Sequence, residues 1–354
     1  MSTGPKIRVL IVDDSAIVRK ILTDALSSEP DIDVVGTAPD AFVARDKILS
    51  LKPDVITLDI EMPRMDGLSF LKRLMRFHPM PVIIISSLSP ASSTAAIEAL
   101  EAGAVEALGK PDGPYSVGEL RQSLATKIRA ATAAKVRRPA SDQLIEIPEP
   151  HSVVTPMPQA IGRVSRISMI ALGASTGGTE ALQEVLTHLP ADSPPVVVVQ
   201  HIPPVFSRAF AMRLDGLCPA HVKEAEQGDV LKPGQVLIAP GGYHMLVRRQ
   251  TDGGYRVDLN NRMDPVCYQR PAVDVLFQTV ADLAGPTSIG AILTGMGSDG
   301  AKGLAAMKRA GAHTIAQDEA TSIIFGMPKE AIKTGCVDSI LPLDRVASGI
   351  LRWC

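Results

Sequence analysis

Apolar positions along this chain fall into short, nearly continuous runs separated by amphipathic stretches. IRVLIV, DVVGTA, VITL, VIII and AVEAL occupy the first 110 residues. Such β-branched runs are the pattern of parallel strands buried on both faces. Between and after them lie SAIVRKILTDAL, DAFVARDKILSL, DGLSFLKRLMRF, SSTAAIEALEAG and SVGELRQSLATKIRAA. These carry apolar residues at helical spacing, as at Ile17, Ile21, Leu22 and Leu26. Five strand–helix units predict an α/β domain over residues 1–135, a doubly wound five-stranded parallel sheet with right-handed crossovers.

The pattern fails over 136–166, where five prolines and no sustained period predict an extended interdomain linker. Alternation resumes over 167–354. ISMIALGA, PPVVVVQ and SIGAILT are strand-like, and TEALQEVLTHL, FSRAFAMRL, AVDVLFQTVADL and AKGLAAMKRAG are helix-like. VLIAPGG and YRVDLN predict a short antiparallel excursion on an otherwise mostly parallel α/β sheet. No internal repeat is present; the two halves carry different motifs.

Composition narrows the class. A chain of 354 residues is long enough for about two domains. Hydrophobic residues at 45% exclude wholesale disorder, and a net charge of −2 gives no global field favouring nucleic acid or an anionic membrane. Cys218, Cys267, Cys336 and Cys354 form no CxxC pair, which argues against a zinc site or a disulfide framework and suits a reducing cytosol. The N-terminal stretch lacks a signal-peptide pattern, and no apolar run reaches the roughly 18 residues a membrane span needs. The expectation is a cytoplasmic, soluble protein.

Polar residues at strand ends carry the chemistry. In the first domain Asp13 and Asp14 follow IRVLIV, Asp59 ends VITLD, Ser86 closes VIIIS, and Lys110 follows AVEALG. Three carboxylates at one sheet edge suit Mg²⁺, a hard cation that prefers oxygen ligands. Asp59 could then attack phosphorus, with Lys110 and Ser86 offering donors to the resulting phosphoryl group. A DD pair alone reads as solvated acids; the full set, with D-x-E-M-P-x-M-D-G-L from Asp59 to Leu68, does not.

In these residues the segment from 7 to about 130 resembles the receiver domain of two-component response regulators. That resemblance implies Asp59 as phospho-acceptor and Asp13 and Asp14 as the acidic pocket. It implies Asp14, Asp59 and the Glu61 carbonyl as direct Mg²⁺ ligands, Ser86 as the switch hydroxyl and Lys110 as the sensing lysine. Ala107 stands where many receivers carry an aromatic switch residue.

In the second domain, three strand-like runs end on three residue types of a hydrolase triad. Ser175 follows ISMIALGA, His201 follows PPVVVVQ, and Asp299 lies in GMGSDG after SIGAILT. Reacting groups in open parallel sheets gather outside the carboxyl ends of the strands. Ser175 lies in GASTGG, a match to G-x-S-x-G, whose small residues let backbone N–H groups approach an oxyanion. His201 is the candidate base and Asp299 the candidate orienter of its ring. Singly each has a plainer reading: GASTGG as a phosphate loop, His201 as a structural histidine, Asp299 as a turn or N-cap residue before GAKGL. His188, placed within a helix, and His221 and His244, placed after loops, compete less well. The order serine, histidine, aspartate differs from that of ordinary α/β-hydrolases.

The longer strings QHIPPVFSRAFAMRL, VKEAEQGDVLKPGQVLIAPGGYHM, RPAVDVLF, LTGMGSDG and AQDEATSIIFGMPKEA resemble the catalytic domain of the chemotaxis protein-glutamate methylesterases. With the receiver and linker, the resemblance spans essentially the whole chain. It implies Ser175, His201 and Asp299 as the triad, Thr176 and Met296 lining the site, and the Met296 N–H as an oxyanion donor. It also implies hydrolysis of γ-glutamyl methyl esters on chemoreceptor cytoplasmic helices, deamidation of receptor glutamines, and phosphorylation by a chemotaxis histidine kinase. Mg²⁺ would serve phosphorylation, and the esterase reaction needs no cofactor. A monomer that binds no nucleic acid and inserts in no membrane is expected. Two other classes compete: a catalytically dead adaptor docking receptor helices, and a regulator whose output binds DNA. The intact triad opposes the first, and the absence of a clustered basic stripe opposes the second.

Overall fold

The structure is a computed structural model and describes residues 5–110, 117–134 and 167–354. The predicted linker lies outside the described residues. In the first domain, strands and helices alternate as β1 (Ile7–Val12), α1 (Ala16–Ser27), β2 (Ile32–Ala38), α2 (Ala41–Leu51), β3 (Val55–Asp59), α3 (Gly67–Phe77), β4 (Val82–Ser86), α4 (Pro90–Glu101), β5 (Glu106–Gly109) and α5 (Val117–Thr132). The five strands pair in parallel in the order β2-β1-β3-β4-β5, so the chain reverses its direction of winding between β1 and β3. Asp13 follows β1 and Asp59 ends β3, which places both carboxylates at that switch point. Helix starts are set locally. Ser15, Asp40, Asp66 and Ser89 each accept an N–H from the first turn of the helix they precede.

The second domain runs β6 (Met169–Ala174), α6 (Gly178–Thr187), β7 (Val196–Gln200), α7 (Phe206–Asp215), β8 (His221–Glu224), β9 (Gln235–Ile238), β10 (His244–Arg249), β11 (Tyr255–Asn260), α8 (Val273–Ala284), β12 (Ser288–Ile292), α9 (Ala301–Arg309), β13 (His313–Gln317), α10 (Met327–Lys333), β14 (Ser339–Leu341) and α11 (Leu343–Leu351). Seven strands form a parallel sheet in the order β14-β13-β12-β6-β7-β9-β8. Of the two segments expected to form an antiparallel excursion, YRVDLN is β11, which pairs with β10 in a hairpin apart from the sheet, whereas VLIAPGG is β9, a parallel strand of the sheet itself. β8, β10, β13 and β14 escape the sequence reading, and β8 and β14 are short edge strands with too few residues to show a period. His188 caps the end of α6 instead of lying within it.

The central strands β12, β6 and β7 are buried on both faces, which explains their uninterrupted apolar sequence. Gly173 in β6 shows how tightly the sheet is covered. A Cβ there would sit 2.3 Å from Val273 Cγ1 at the start of α8.

The two domains touch. α4 packs against α7 and α6, and one apolar cluster runs from the receiver core into the second sheet. Arg213 Nε donates to Glu101 Oε1 at 2.9 Å across the boundary. Glu106, on β5, is buried and accepts the Thr176 hydroxyl at 2.7 Å.

Gly173→Ala is expected to push the first turn of α8 off the sheet and to destabilise the protein by about 1–3 kcal/mol, the range for overpacking. Denaturant unfolding monitored by circular dichroism measures this, and an unchanged midpoint would show that α8 yields freely.

Candidate active site

The sheet order brings together the three strand ends singled out in the second domain. β6 lies between β12 and β7, so Ser175 is flanked by Asp299 on one side and His201 on the other. The Ser175 N–H donates to the Thr294 carbonyl at 3.0 Å, and the His201 N–H donates to the Ala174 carbonyl at 3.1 Å. Both loops are therefore continuations of the strand ladder. Gly177 has φ +75°, a left-handed turn that lets the chain leave β6 and begin α6. Gln200 supports the corner from below: its side-chain amide donates to the carbonyls of Ser175 at 2.8 Å and His201 at 3.2 Å.

His201 Nε2 lies 2.7 Å from Asp299 Oδ2, and both side chains are only 2% exposed. The carboxylate also accepts the Val273 N–H at 2.7 Å and the Asp274 N–H at 2.9 Å. Burial pushes the Asp299 carboxyl up, but the His201 ring and these two N–H groups outweigh it and hold it below its ordinary value. Asp299 thus stays ionised, so His201 presents Nε2–H to it and leaves Nδ1 as the bare nitrogen. That Nδ1 is buried and has no hydrogen-bond partner among the described residues. The N-cap reading of Asp299 is corrected in detail. The cap of α9 is Gly300 without a side-chain bond, and the helix Asp299 caps is α8. Asp274 returns the arrangement by accepting the Gly303 N–H of α9 at 2.7 Å.

Thr176 is buried and Met296 is half-buried, both beside Ser175. Neither main-chain N–H has a protein acceptor among the described residues. The four cysteines are free thiols. Cys267 Sγ comes within 4.8 Å of ligand atoms of Asp274 and Asp299, a juxtaposition that cysteine spacing did not reveal. Both Asp299 oxygens are already bonded to N–H groups there.

In the first domain the sheet edge gathers Asp13, Asp14 and Asp59, whose carboxylate oxygens lie within 4.8 Å of one another. Lys110 Nζ stands 2.7 Å from Asp59 Oδ2 and 3.2 Å from Asp13 Oδ2. Burial pushes the Asp59 carboxyl up to about 6, with Lys110 opposing and the charge of Asp13 reinforcing it. Burial likewise raises Asp13. Three clustered acids against one ammonium form a donor set that fits a hard divalent cation, which would relieve this repulsion. Ser86 is fully buried at the end of β4, and Ala107 is buried on β5.

Glu106, Gln200 and His244 were missed by sequence reasoning. Glu106 sits inside a strand-like run and Gln200 immediately precedes His201, so adjacency to a singled-out residue was the available signal. His244, set aside as following a loop, is completely buried at the start of β10 and bonds the Ala272 N–H beside Asp299.

A receiver sheet joined to a parallel α/β domain of this kind makes the chain a two-domain response regulator with an enzyme as its output. The family model for the response regulator receiver domain matches residues 9–124, and that for CheB methylesterase matches residues 170–350. The chain belongs to the CheB methylesterase family. It is 55% identical to a protein-glutamate methylesterase/protein-glutamine glutaminase of Syntrophus aciditrophicus, over 98% of this chain and 99% of the relative. It is 51% identical to one of Anaeromyxobacter dehalogenans, over 99% and 98%. Among solved structures, the Thermotoga maritima CheB methylesterase catalytic domain aligns with TM-score 0.52 and 39% identity, covering 53% of this chain and 99% of that one.

The raised Asp59 sets a pH dependence. Its carboxyl lies at about 6 in the fold against 3.8 ordinarily, so the native state holds the extra proton between those values. Stability contributed by this group therefore falls as pH rises through that window. Asp59→Asn is expected to stabilise the metal-free protein at pH 7 by on the order of 2–3 kcal/mol and to have no such effect at pH 4 or below. Millimolar Mg²⁺ should raise the melting temperature of wild type more than that of the variant. Calorimetry with and without Mg²⁺ reads all three.

Proposed function

We propose that this protein is a phosphorylation-activated esterase that removes methyl groups from glutamyl side chains on chemoreceptor cytoplasmic helices. The observation that carries the reading is the buried His201–Asp299 pair after the strand next to that of Ser175, its Nδ1 without a partner among the described residues, beside a Thr176 held by the receiver's Glu106. The names of the relatives supply the glutamyl methyl ester and the glutamine, the family resemblance supplies the chemoreceptor, and the residues supply only ester or amide hydrolysis.

In the proposed mechanism His201 Nδ1 takes the proton of Ser175 Oγ as that oxygen attacks the ester carbonyl. Asp299 stabilises the resulting imidazolium through Nε2–H. The N–H groups of Thr176 and Met296 receive the oxyanion. Collapse expels methanol, which takes the proton back from His201, and leaves a glutamyl ester on Ser175. Water activated by the same nitrogen then releases the glutamate. A receptor glutamine would follow the same path with ammonia as leaving group.

The receiver would supply control. Asp59 accepts a phosphoryl group from a chemotaxis histidine kinase. Asp13, Asp14, Asp59 and the Glu61 carbonyl would hold Mg²⁺, which when bound neutralises charge on the incoming phosphoryl group. Lys110 would move its hydrogen bond from the Asp59 carboxylate to the phosphate, and Ser86 would donate to a phosphate oxygen. Lys110 follows β5, which also carries Glu106, the acceptor of the Thr176 hydroxyl. A shift of β5 would thereby loosen the contact beside Ser175, with Glu106 taking part where Ala107 offers no aromatic switch. The unphosphorylated receiver is read as autoinhibitory, and phosphorylation as shifting the population toward an open arrangement. No helix among the described residues is long and apolar enough to cross a membrane. Action in the cytoplasm as a monomer, without nucleic acid, completes the proposal.

Methanol release from methylated receptor membranes tests it. Wild type should release methanol, faster with a small-molecule phosphodonor, while Ser175→Ala should lose at least about 10³-fold, in keeping with removal of a triad nucleophile. Equal release by both would remove Ser175 from the mechanism. Deleting residues 1–135, or Glu106→Ala in the unphosphorylated protein, should raise basal release. Unchanged or lower basal release would sink autoinhibition.

A further inference from the structure

His244 opens β10 and has no exposed surface. Its Nδ1 accepts the Ala272 N–H at 3.2 Å, and its Nε2 lies 3.0 Å from the Asp264 carbonyl. An Nδ1 that accepts carries no proton, so the ring is the neutral tautomer with its proton on Nε2, donated to Asp264. Burial lowers the ring's pKa against the pull of that carbonyl, in agreement with a neutral ring.

Ala272 occupies the N-cap position of α8 and provides no side-chain cap. The next two residues, Val273 and Asp274, are the main-chain donors to Asp299. Three consecutive N–H groups at the start of this helix are therefore met by side chains from elsewhere: His244 takes the first and Asp299 takes the other two. A buried N–H left without an acceptor costs about 1–3 kcal/mol. The Ala272 peptide would rotate to recover a partner, and rotation there swings the two donors that follow it.

We propose that His244 is a positioning residue for the ester hydrolysis described above, on which this inference rests. By fixing the Ala272 peptide it aims the Val273 and Asp274 N–H groups at Asp299, and through that carboxylate it sets the plane and tautomer of His201. It touches neither substrate nor reacting atoms.

Two isosteres separate this role from simple core filling. In His244→Asn the amide oxygen falls at the place of Nδ1, which keeps the acceptor for Ala272 and gives up Asp264. In His244→Gln the terminal nitrogen falls at the place of Nε2, which keeps the donor to Asp264 and gives up Ala272. His244→Phe fills the volume and gives up both. In full-length protein treated with phosphodonor, His244→Asn should keep most of the wild-type kcat. His244→Gln and His244→Phe should lose roughly 10- to 100-fold, the scale of a sub-ångström to ångström misplacement. KM should stay near wild type in all three. The rate of Ser175 labelling by a fluorophosphonate should follow the same order, and melting temperatures measured alongside should not. Full kcat in His244→Gln, a loss that tracks melting temperature, or a loss carried in KM would overturn the proposal while leaving the hydrolase reading intact. A wild type that neither releases methanol nor becomes labelled would overturn that reading, and this inference with it.

Discussion

An ionised carboxylate buried at the end of β12 is the constraint around which the second domain is arranged. Isolated in an apolar interior, Asp299 would cost several kcal/mol and would take up a proton instead. Its two oxygens are met by two N–H groups at the start of α8 and by the His201 ring, which satisfies the charge without a cation. The helix start contributes because its first N–H groups have no intrahelical partner and its dipole favours an anion. Asp274 in turn accepts from α9, so the two helices that flank β12 are cross-capped. Displacing any one of these partners would leave a buried charge uncompensated, so the geometry of the histidine follows from the electrostatics of the acid.

The first domain uses the opposite strategy at its sheet edge. Asp13 and Asp59 are buried beside one another with Lys110 and one main-chain N–H each, from Ser15 and Glu61, for compensation, and their carboxyls are pushed up, not down. The difference is one of purpose in physical terms. A carboxylate whose charge is fully matched is inert and orients its neighbours. One that is left under-compensated is poised to gain from a cation and a phosphoryl group. β5 lies at the meeting point of these two regimes. Lys110 follows it on the side of the acids, and Glu106 begins it on the side of Thr176. A single four-residue strand therefore runs from the acid cluster of one domain to a hydroxyl beside Ser175 in the other.

How much of this was legible in the sequence depended on the range of the contact. The strands and the three polar residues at their ends could be read because parallel sheets line up their carboxyl ends, whatever the intervening chain does. The acid cluster was legible for the same reason, whereas only one arm of the hairpin was: YRVDLN is β11, but its partner is β10 and not VLIAPGG, which joins the parallel sheet as β9. His244 was not legible, because its partner is a backbone N–H brought up by a separate helix start, and no periodicity encodes that meeting. Glu106 looked like one polar position in a strand, since its partners are Lys127 on α5 and Thr176, 70 residues away in the other domain. The second role of Asp299 was half legible: a capping residue was expected, but the helix it caps is not the one that follows it in sequence.

The same sheet order explains which face of the imidazole does what. In the familiar chymotrypsin-type arrangement, Nδ1–H faces the acid and Nε2 faces the serine. Here Nε2 faces Asp299. His201 and Ser175 follow adjacent strands, about 4.8 Å apart, while Asp299 stands in the loop after β12, the strand on the other side of β6. Nε2 is the nitrogen farther from the histidine backbone, so it makes the longer reach to Asp299, and Nδ1 is left without a partner among the described residues. With Ser175 after the middle strand of the three, the reversed imidazole suits this order of strands. The orientation of His201 thus rests on strand order β12-β6-β7 together with the buried charge of Asp299.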